Sequence, residues 1–298
     1  MMRLSDNVGN TPLIPISFAG RTAWCKCEFM NPGGSVKDRM ATYIINDAER
    51  RGLIRRGDTI CEATSGNTGI SFAMLAAERG YKIYIVMPSN MSDERKQMLK
   101  FYGANLIEVD PGDFDEAIRL RDEMCDKKGW FNCNQFHNPL NIEAHYKTTG
   151  PEINRQFRNA NSYEHIWPEA FIAGTGTGGT IMGAGLYLKK QFPGINLVAV
   201  EPAESAVMSG YEPGLHGIQG IGDGSKFLVD LNRIDSIRTV HTNCAKKIAR
   251  HLALKYGMFI GISAGANLKA SFEWMRDNDR KNVITILCDR GERYLSCL

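Results

Sequence analysis

Three stretches of this chain gather residues that could do chemistry, and each is punctuated by glycine. In NPGGSVKDR (31–39), Pro32-Gly33-Gly34 breaks the chain, Ser35 can cap a helix, and Lys37 falls in that helix's first turn. A cation near the positive end of a helix runs against the dipole preference. Such a lysine suggests a charge that is neutralised or shared, as in an imine; the plainer alternative is a surface lysine paired with Asp38. The second stretch, EATSGNTG (62–69), directly follows an apolar run. Thr64, Ser65, Asn67 and Thr68 place hydroxyls and an amide at a helix start whose backbone N–H groups remain open, which suits a carboxylate or another small anion. An N-capping turn would need only one of those four side chains. In the third, GTGTGGT (174–180), the glycines let backbone approach a phosphate while Thr175, Thr177 and Thr180 add hydroxyl donors. It is not a P-loop, because no Gly-Lys-Ser/Thr ends it. Gly174, Gly176 and Gly179 do match G-x-G-x-x-G, and Glu201 ends the next strand, where a ribose-binding acid would sit. By itself this segment favours a dinucleotide-binding unit.

The elements that must hold these stretches are legible as alternating apolar runs and helical patterns. Strands are expected at 59–63, 81–87, 105–109, 131–136, 171–174, 195–200 and 283–288. Helices are expected at 68–79, after a capping Ser92, at 115–127, 141–157, from the third glycine stretch to 191, at 243–256 and at 264–277. Strands separated by helices of 10–15 residues imply βαβ units and a mostly parallel sheet, and all three glycine stretches fall at helix starts, where such folds bind ligands. The Gly-rich loop 204–226 is long enough to be either mobile or functional.

Composition narrows the class. The chain has 298 residues, enough for about two domains or one large one. With 43% hydrophobic and 23% charged residues it is an ordinary globular composition, which excludes disorder, collagen-like repeats and a coiled coil. A net charge of +3 argues for neither a nucleic-acid nor an acidic-membrane partner. The eight cysteines are scattered; Cys25-x-Cys27, the only close pair, has neither zinc nor thioredoxin spacing, so reduced core cysteines and no metal are expected. No signal peptide or long apolar run is visible, and a cytoplasmic protein is expected.

What tilts the balance is the conjunction. A nicotinamide enzyme has no evident need for Lys37 in a Gly-rich turn plus a separate anion pocket at 64–68. A phosphate cradle, a candidate imine lysine and a carboxylate pocket together are what pyridoxal 5'-phosphate (PLP) chemistry on an amino acid requires. NTPL (10–13), NPGGSVKDR (31–39), TSGNTG (64–69), QFHNP (135–139), TTGPEI (148–153), GTGTGGT (174–180), IQGIG (218–222), GISAGA (261–266) and GERYLS (291–296) occur in order over nearly the whole chain. This series resembles the fold-type II PLP enzymes of the cysteine synthase (O-acetylserine sulfhydrylase) and cystathionine β-synthase family. The closing CDRGERYLS looks closest to the B-type cysteine synthases, and the IQGIG loop to the A-type.

The resemblance implies an α/β fold of two three-layer αβα domains with mostly parallel sheets, similar to the tryptophan synthase β chain, with PLP in the cleft between them. The larger domain would comprise 1–36 and 146–298, and the smaller, mobile one 37–145. It implies that Lys37 carries the cofactor as an imine and then moves the substrate α-proton. Asn67 would meet the PLP 3′-oxygen, Gly176, Thr177, Gly178, Gly179 and Thr180 the phosphate, and Ser263 the pyridine nitrogen. Thr64, Ser65, Thr68 and Gln135 would hold the substrate carboxylate. A hydroxyl such as Ser263 leaves the ring nitrogen neutral, so a free carbanion is stabilised less, which favours β-elimination and replacement through an aminoacrylate over transamination. Ser263 could equally serve as the N-cap of the 264–277 helix. His145 and His216 lie near motif segments, where lone histidines are more often structural.

Three departures from the family pattern stand out. Asp223 follows IQGIG where cysteine synthases usually have a small residue. A carboxylate there could act as a base toward water and would repel sulfide, or it could be an ordinary turn residue. Asn154 stands where the family often has Trp, and the chain ends two residues past GERYLS, so no haem segment or regulatory module is expected. The expected reaction is β-replacement on an L-serine-derived amino acid, best read as O-acetyl-L-serine plus sulfide giving L-cysteine and acetate. The alternative consumes L-cysteine and releases hydrogen sulfide, with water giving serine or a thiol giving cystathionine or lanthionine, and with Asp223 as base. From other classes, an NAD-dependent oxidoreductase and a non-catalytic binding module stay open. The partners expected are small molecules, with a homodimer implied by the resemblance.

Overall fold

The computed structural model describes residues 2–64, 66–162 and 166–297. In chain order the elements are β1 (Leu13–Phe18), β2 (Arg21–Cys27), α1 (Lys37–Arg50), β3 (Thr59–Ala63), α2 (Asn67–Arg79), β4 (Lys82–Pro88), α3 (Asp93–Phe101) and β5 (Asn105–Val109). Then come α4 (Phe114–Lys128), β6 (Phe131–Asn132), α5 (Leu140–Ala144), α6 (Gly150–Ala160), β7 (Ala170–Gly174) and α7 (Gly179–Gln191). The chain closes with β8 (Asn196–Pro202), β9 (Ser236–Val240), α8 (Thr242–Tyr256), α9 (Ile262–Asp277) and β10 (Asn282–Leu287). They build two sheets, a six-stranded one in the order β1-β2-β10-β7-β8-β9 and a four-stranded one in the order β5-β4-β3-β6. Among the described strands, β1–β2 pair antiparallel and the other pairings are parallel.

Each sheet is buried on both faces, because neighbouring residues in a strand point to opposite sides. Ala23, Ile172, Val198 and Val283 pack with Leu252 of α8 and Trp274 of α9. Their neighbours Trp24, Phe171, Leu197 and Ile284 pack on the other side with Phe157 of α6 and Leu188 of α7. The four-stranded sheet repeats the pattern, with Ile60 and Ile85 against α1 and α2, and Cys61 and Val86 against α4. The result is two αβα sandwiches, as the sequence led one to expect.

Strand order places the ligand sites. β7 lies between β10 and β8, and β3 between β6 and β4, so both strands sit where the connections leave in opposite directions. The crevice at such a point, beyond the carboxyl ends of the strands, is where parallel sheets bind ligands. GTGTGGT leaves β7 there, and the 64–69 segment leaves β3.

Several local expectations are corrected. Ser92 does not cap α3; its hydroxyl donates to the Arg293 carbonyl at 2.8 Å. The 131–136 strand shortens to Phe131–Asn132. The helix expected over 141–157 is interrupted by a π turn, His145–Thr149, where Thr148 bonds back to the Ala144 carbonyl at 2.7 Å. Gly183 of α7 crosses this stretch closely enough that a Cβ would sit 2.3 Å from the Ile142 carbonyl oxygen. The hairpin strand β1 and the edge strand β9 have half-exposed, irregular patterns that periodicity does not pick out.

Behind the start of α1 lies a buried charge network. Arg39 meets Glu28 at 2.6 Å and Glu152 at 2.7 Å, and Lys26 meets Glu152 at 2.8 Å. It joins β2, α1 and α6. Burial alone would raise the Glu152 carboxyl, but Arg39 and Lys26 overcome this and hold it at about 2. Removing one partner strands the others as unpaired buried charges. Glu28→Ala is therefore expected to lower the unfolding free energy by about 3–5 kcal/mol, read as a lower urea midpoint. Folding depresses the Glu152 pKa, so its stabilisation is complete above the unfolded carboxyl value of about 4.3 and is lost as pH falls from there toward 2. Glu152→Gln is expected to flatten that acid limb in unfolding titrations.

Candidate active site

Lys37 is the first residue of α1, and its backbone N–H donates to the Ser35 hydroxyl at 3.3 Å. The alternative of a lysine paired with Asp38 does not occur. Asp38 is fully buried and accepts instead from Gly33 N–H at 2.6 Å and from the Ser71 hydroxyl; burial pushes its carboxyl up to about 6. The Lys37 side chain lines a cavity together with Asn67, Gly176–Thr180, Ser263 and Cys288. Burial pushes the amine below the ordinary lysine range, while Asp223, Cys288 and Glu62 pull it partly back. A lysine with this environment has the depressed basicity an imine-forming amine needs.

The phosphate-type cradle is built at the start of α7. Gly178 adopts φ 90°, a conformation open to glycine at little cost, and its backbone leads directly into the helix. Gly179 packs so tightly that a Cβ would sit 1.9 Å from Asn141 Oδ1. Asn141 was not singled out from the sequence, yet its amide donates to Thr177 Oγ1 at 2.9 Å and to the Gln135 carbonyl at 2.9 Å. Thr180 Oγ1 lies 3.4 Å from His145 Nε2, whose other nitrogen meets Thr149 Oγ1 at 2.8 Å. Burial, reinforced by Arg39, drives the His145 pKa down to about 3, so the ring is neutral and serves the cradle from behind.

The carboxylate-type pocket forms beyond β3. Thr68 Oγ1 donates to Gln135 Oε1 at 2.5 Å, and Gln135 Nε2 donates to the Ala63 carbonyl at 2.9 Å. Thr64 Oγ1 accepts from Gly66 N–H at 3.0 Å, which shapes the turn. Glu62 is the platform beneath them: its carboxylate accepts from Gln135 N–H and from Arg121, both at 3.0 Å. Thr64, Thr68 and Gln135 are thus brought together; Ser65 lies outside the described residues.

Ser263 is the second residue of α9, and Gly261 occupies the N-cap position. The capping role weighed for Ser263 is not used, and the side chain sits buried in the cavity wall. Beside it stands Cys288, whose thiol burial pushes up to about 12. An apolar run such as the one before Cys288 predicts a core cysteine, but this one also lines the cavity. Asp223 is half-buried at the seam between this cavity and a wider cleft of about 270 Å³. Its carboxylate reaches the cradle, with Oδ2 2.9 Å from where a Cβ on Gly176 would be. Burial raises its pKa above the ordinary carboxylate range, opposed by Lys37, His216 and Arg95.

The dinucleotide alternative fails on Glu201. That carboxylate is buried and accepts from Met208 N–H at 2.8 Å, Ser209 N–H at 3.0 Å and the Ser209 hydroxyl at 2.5 Å, which leaves it closed to a ribose. The chemistry left is a lysine amine and a glycine cradle around one cavity, which Asn67 also lines, with the Thr68–Gln135 pair tied to the cradle through Asn141. The buried Asn67 amide, one N–H of which is held by Asp289, adds a further donor on the cavity wall. This donor set fits PLP.

A family model described as pyridoxal-phosphate dependent enzyme matches residues 4–289. The chain belongs to that family. It is 43% identical to a cysteine synthase of Staphylococcus aureus, over 98% of this chain and 95% of that protein. It is 40% identical to cysteine synthase B of Pseudomonas aeruginosa, again over 98% and 95%. The fold matches the crystal structure of a hydrogen sulfide-producing enzyme from Fusobacterium nucleatum with a TM-score of 0.92 and 37% identity, covering 99% of this chain and all of that one. The protein is accordingly a PLP-dependent enzyme of the cysteine synthase type, performing β-replacement on small amino-acid substrates. Among the described residues no helix is long and apolar enough to cross a membrane.

The Gly179–Asn141 contact gives a direct test of the cradle. A methyl group at 179 must displace Asn141 and break its bridge between Gln135 and Thr177. Gly179→Ala is expected to weaken PLP retention by at least about tenfold, read as cofactor lost on gel filtration of protein whose circular dichroism is unchanged.

Proposed function

We propose that the enzyme makes L-cysteine and acetate from O-acetyl-L-serine and sulfide. The observation that carries this reading is the Lys37 amine, of lowered basicity, in one cavity with the glycine cradle, Asn67 and Ser263. When bound, PLP supplies a carbonyl carbon to hold the substrate nitrogen and a ring that accepts the electron pair released at Cα. The residues of this chain do the rest. Gly176, Thr177, Gly178, Gly179 and Thr180 grip the phosphate, and Asn141 and His145 keep those hydroxyls in place. Thr64, Ser65, Thr68 and Gln135 hold the substrate carboxylate, which aligns the α-hydrogen with Lys37. Lys37 takes that proton while the β-substituent leaves, and Ser263 meets the ring nitrogen with a hydroxyl, which leaves it neutral. Asn67 meets the 3′-oxygen.

We also read residues 37–145 as the smaller unit that closes on substrate, with 1–36 and 146–298 as the larger. Such closure would exclude water from the reactive centre. The enzyme is taken to be a cytoplasmic homodimer, and sedimentation at twice the chain mass is the outcome expected.

A second reading is favoured by Asp223. A carboxylate that burial keeps more basic than usual, and whose charge reaches Lys37, is suited to take a proton from water or another protic nucleophile. It supports use of L-cysteine as donor, with release of hydrogen sulfide and formation of serine. Product mass spectrometry with O-acetylserine plus sulfide and with L-cysteine alone distinguishes the two. Lys37→Ala is expected to abolish both. Asp223→Asn is expected to reduce sulfide release from L-cysteine by about 100-fold and to leave cysteine formation from sulfide unchanged or faster. Protonation silences the base, so sulfide release should fall on the acid side, with a midpoint above the ordinary carboxylate value of about 4. Equal sulfide release by wild type and Asp223→Asn would remove the second reading.

A further inference from the structure

Asp289 is a fully buried carboxylate that none of the steps above uses. It stands where three cofactor-contacting segments meet. Its backbone pairs with Ser35, two residues before Lys37, and its carbonyl accepts from Gly261 N–H at 2.9 Å, two residues before Ser263. Its side chain reaches the third segment: Oδ2 accepts from Asn67 Nδ2 at 2.6 Å. Room for this carboxylate is built in, since a Cβ on Gly261 would lie 2.0 Å from Asp289 Oδ1. The same Oδ2 accepts from the Tyr294 hydroxyl, which in turn accepts from Arg95 Nη2 at 2.6 Å. The Arg95 guanidinium lies 3.8 Å from Asp289 Oδ2, so the buried charge is compensated.

The consequence lies in the Asn67 amide. An amide has a donor end and an acceptor end, and an ionised carboxylate can only accept. Facing Asp289, the amide has one stable orientation, with the NH₂ end toward the carboxylate. One N–H is spent on Asp289, and the second is left for an acceptor in the cavity that Asn67 lines. An isosteric amide at 289 would tolerate either orientation and would let Asn67 turn its carbonyl to that acceptor.

We propose that Asp289 is a positioning residue for the cofactor, which orients the Asn67 amide so that it presents an N–H, rather than its carbonyl oxygen, to the ring oxygen of PLP. The inference rests on the reading of Asn67 as the partner of that oxygen. Asp289 touches no reacting atom and acts through Asn67 alone.

The test uses the PLP-loaded enzyme and reads its visible absorption band and its dissociation constant for PLP. Asp289→Asn keeps shape and removes charge; it is expected to shift or split the band and weaken PLP binding about tenfold. Asn67→Ala is expected to do the same, and Asp289→Asn placed in the Asn67→Ala background should change neither quantity by more than about twofold. A wild-type band and affinity in folded Asp289→Asn overturns the proposal, as do effects that add to those of Asn67→Ala. Should Asp289→Asn fail to fold by circular dichroism, Tyr294→Phe, which removes one of the two donors to the carboxylate, is expected to leave the band in place, and a shift as large as that of Asn67→Ala overturns the assignment to Asn67. A wild-type protein that develops no visible band with PLP overturns the cofactor-site reading together with this one. A normal wild-type band with Asn67→Ala unshifted overturns the assignment of Asn67, and with it the proposal.

Discussion

Keeping one lysine amine buried and short of charge partners is the constraint on which the arrangement depends. An amine in that setting is less basic than in water, because the charged form loses its hydration. The chain reaches this state by starting α1 at Lys37 and tying the next charged side chains elsewhere. Asp38 turns to Gly33 and Ser71, and Arg39 turns to Glu28 and Glu152. The obvious counter-ions nearby are therefore occupied, and the charge that reaches Lys37 comes mainly from Asp223 across the cavity.

Around that amine, the site is assembled from loops whose geometry is set by the ends of two parallel strands. Backbone comes close where glycine allows it, and the side chains that replace the missing bulk are polar and partnered. Asn141 fills the space beside Gly179 and bridges the cradle to Gln135; Glu62 anchors Gln135 from below. The cradle and the hydroxyl pair are thereby joined through a chain of hydrogen bonds.

The family resemblance extends to enzymes that build cysteine and to one described as producing hydrogen sulfide. In this chain Asp223 lines the wider cleft beside the cavity and reaches the cradle. Its raised pKa and its reach to Gly176 set it apart from the solvent-exposed turn that the Asp-Gly pair alone would suggest.

Most of the fold was legible in the chain itself. Buried parallel strands are continuous apolar runs, helices between them carry stops and starts, and glycine-rich turns mark strand ends, so β3, β4, β7, α2, α7 and α9 fall close to their expected places. The lysine, the cradle and the hydroxyl pocket were readable for the same reason: each is a short contiguous segment. Long-range pairing is not written locally. Nothing in the order of residues indicates that Ser92 is spent on Arg293, that Asp289 meets Asn67 222 positions away, that Glu201 is closed by its own following turn, or that Cys288 lines the cavity as well as packing on the core. Those partnerships arise only when the two sheets pack, because a buried polar atom takes the nearest complementary group in space, whatever its distance along the chain.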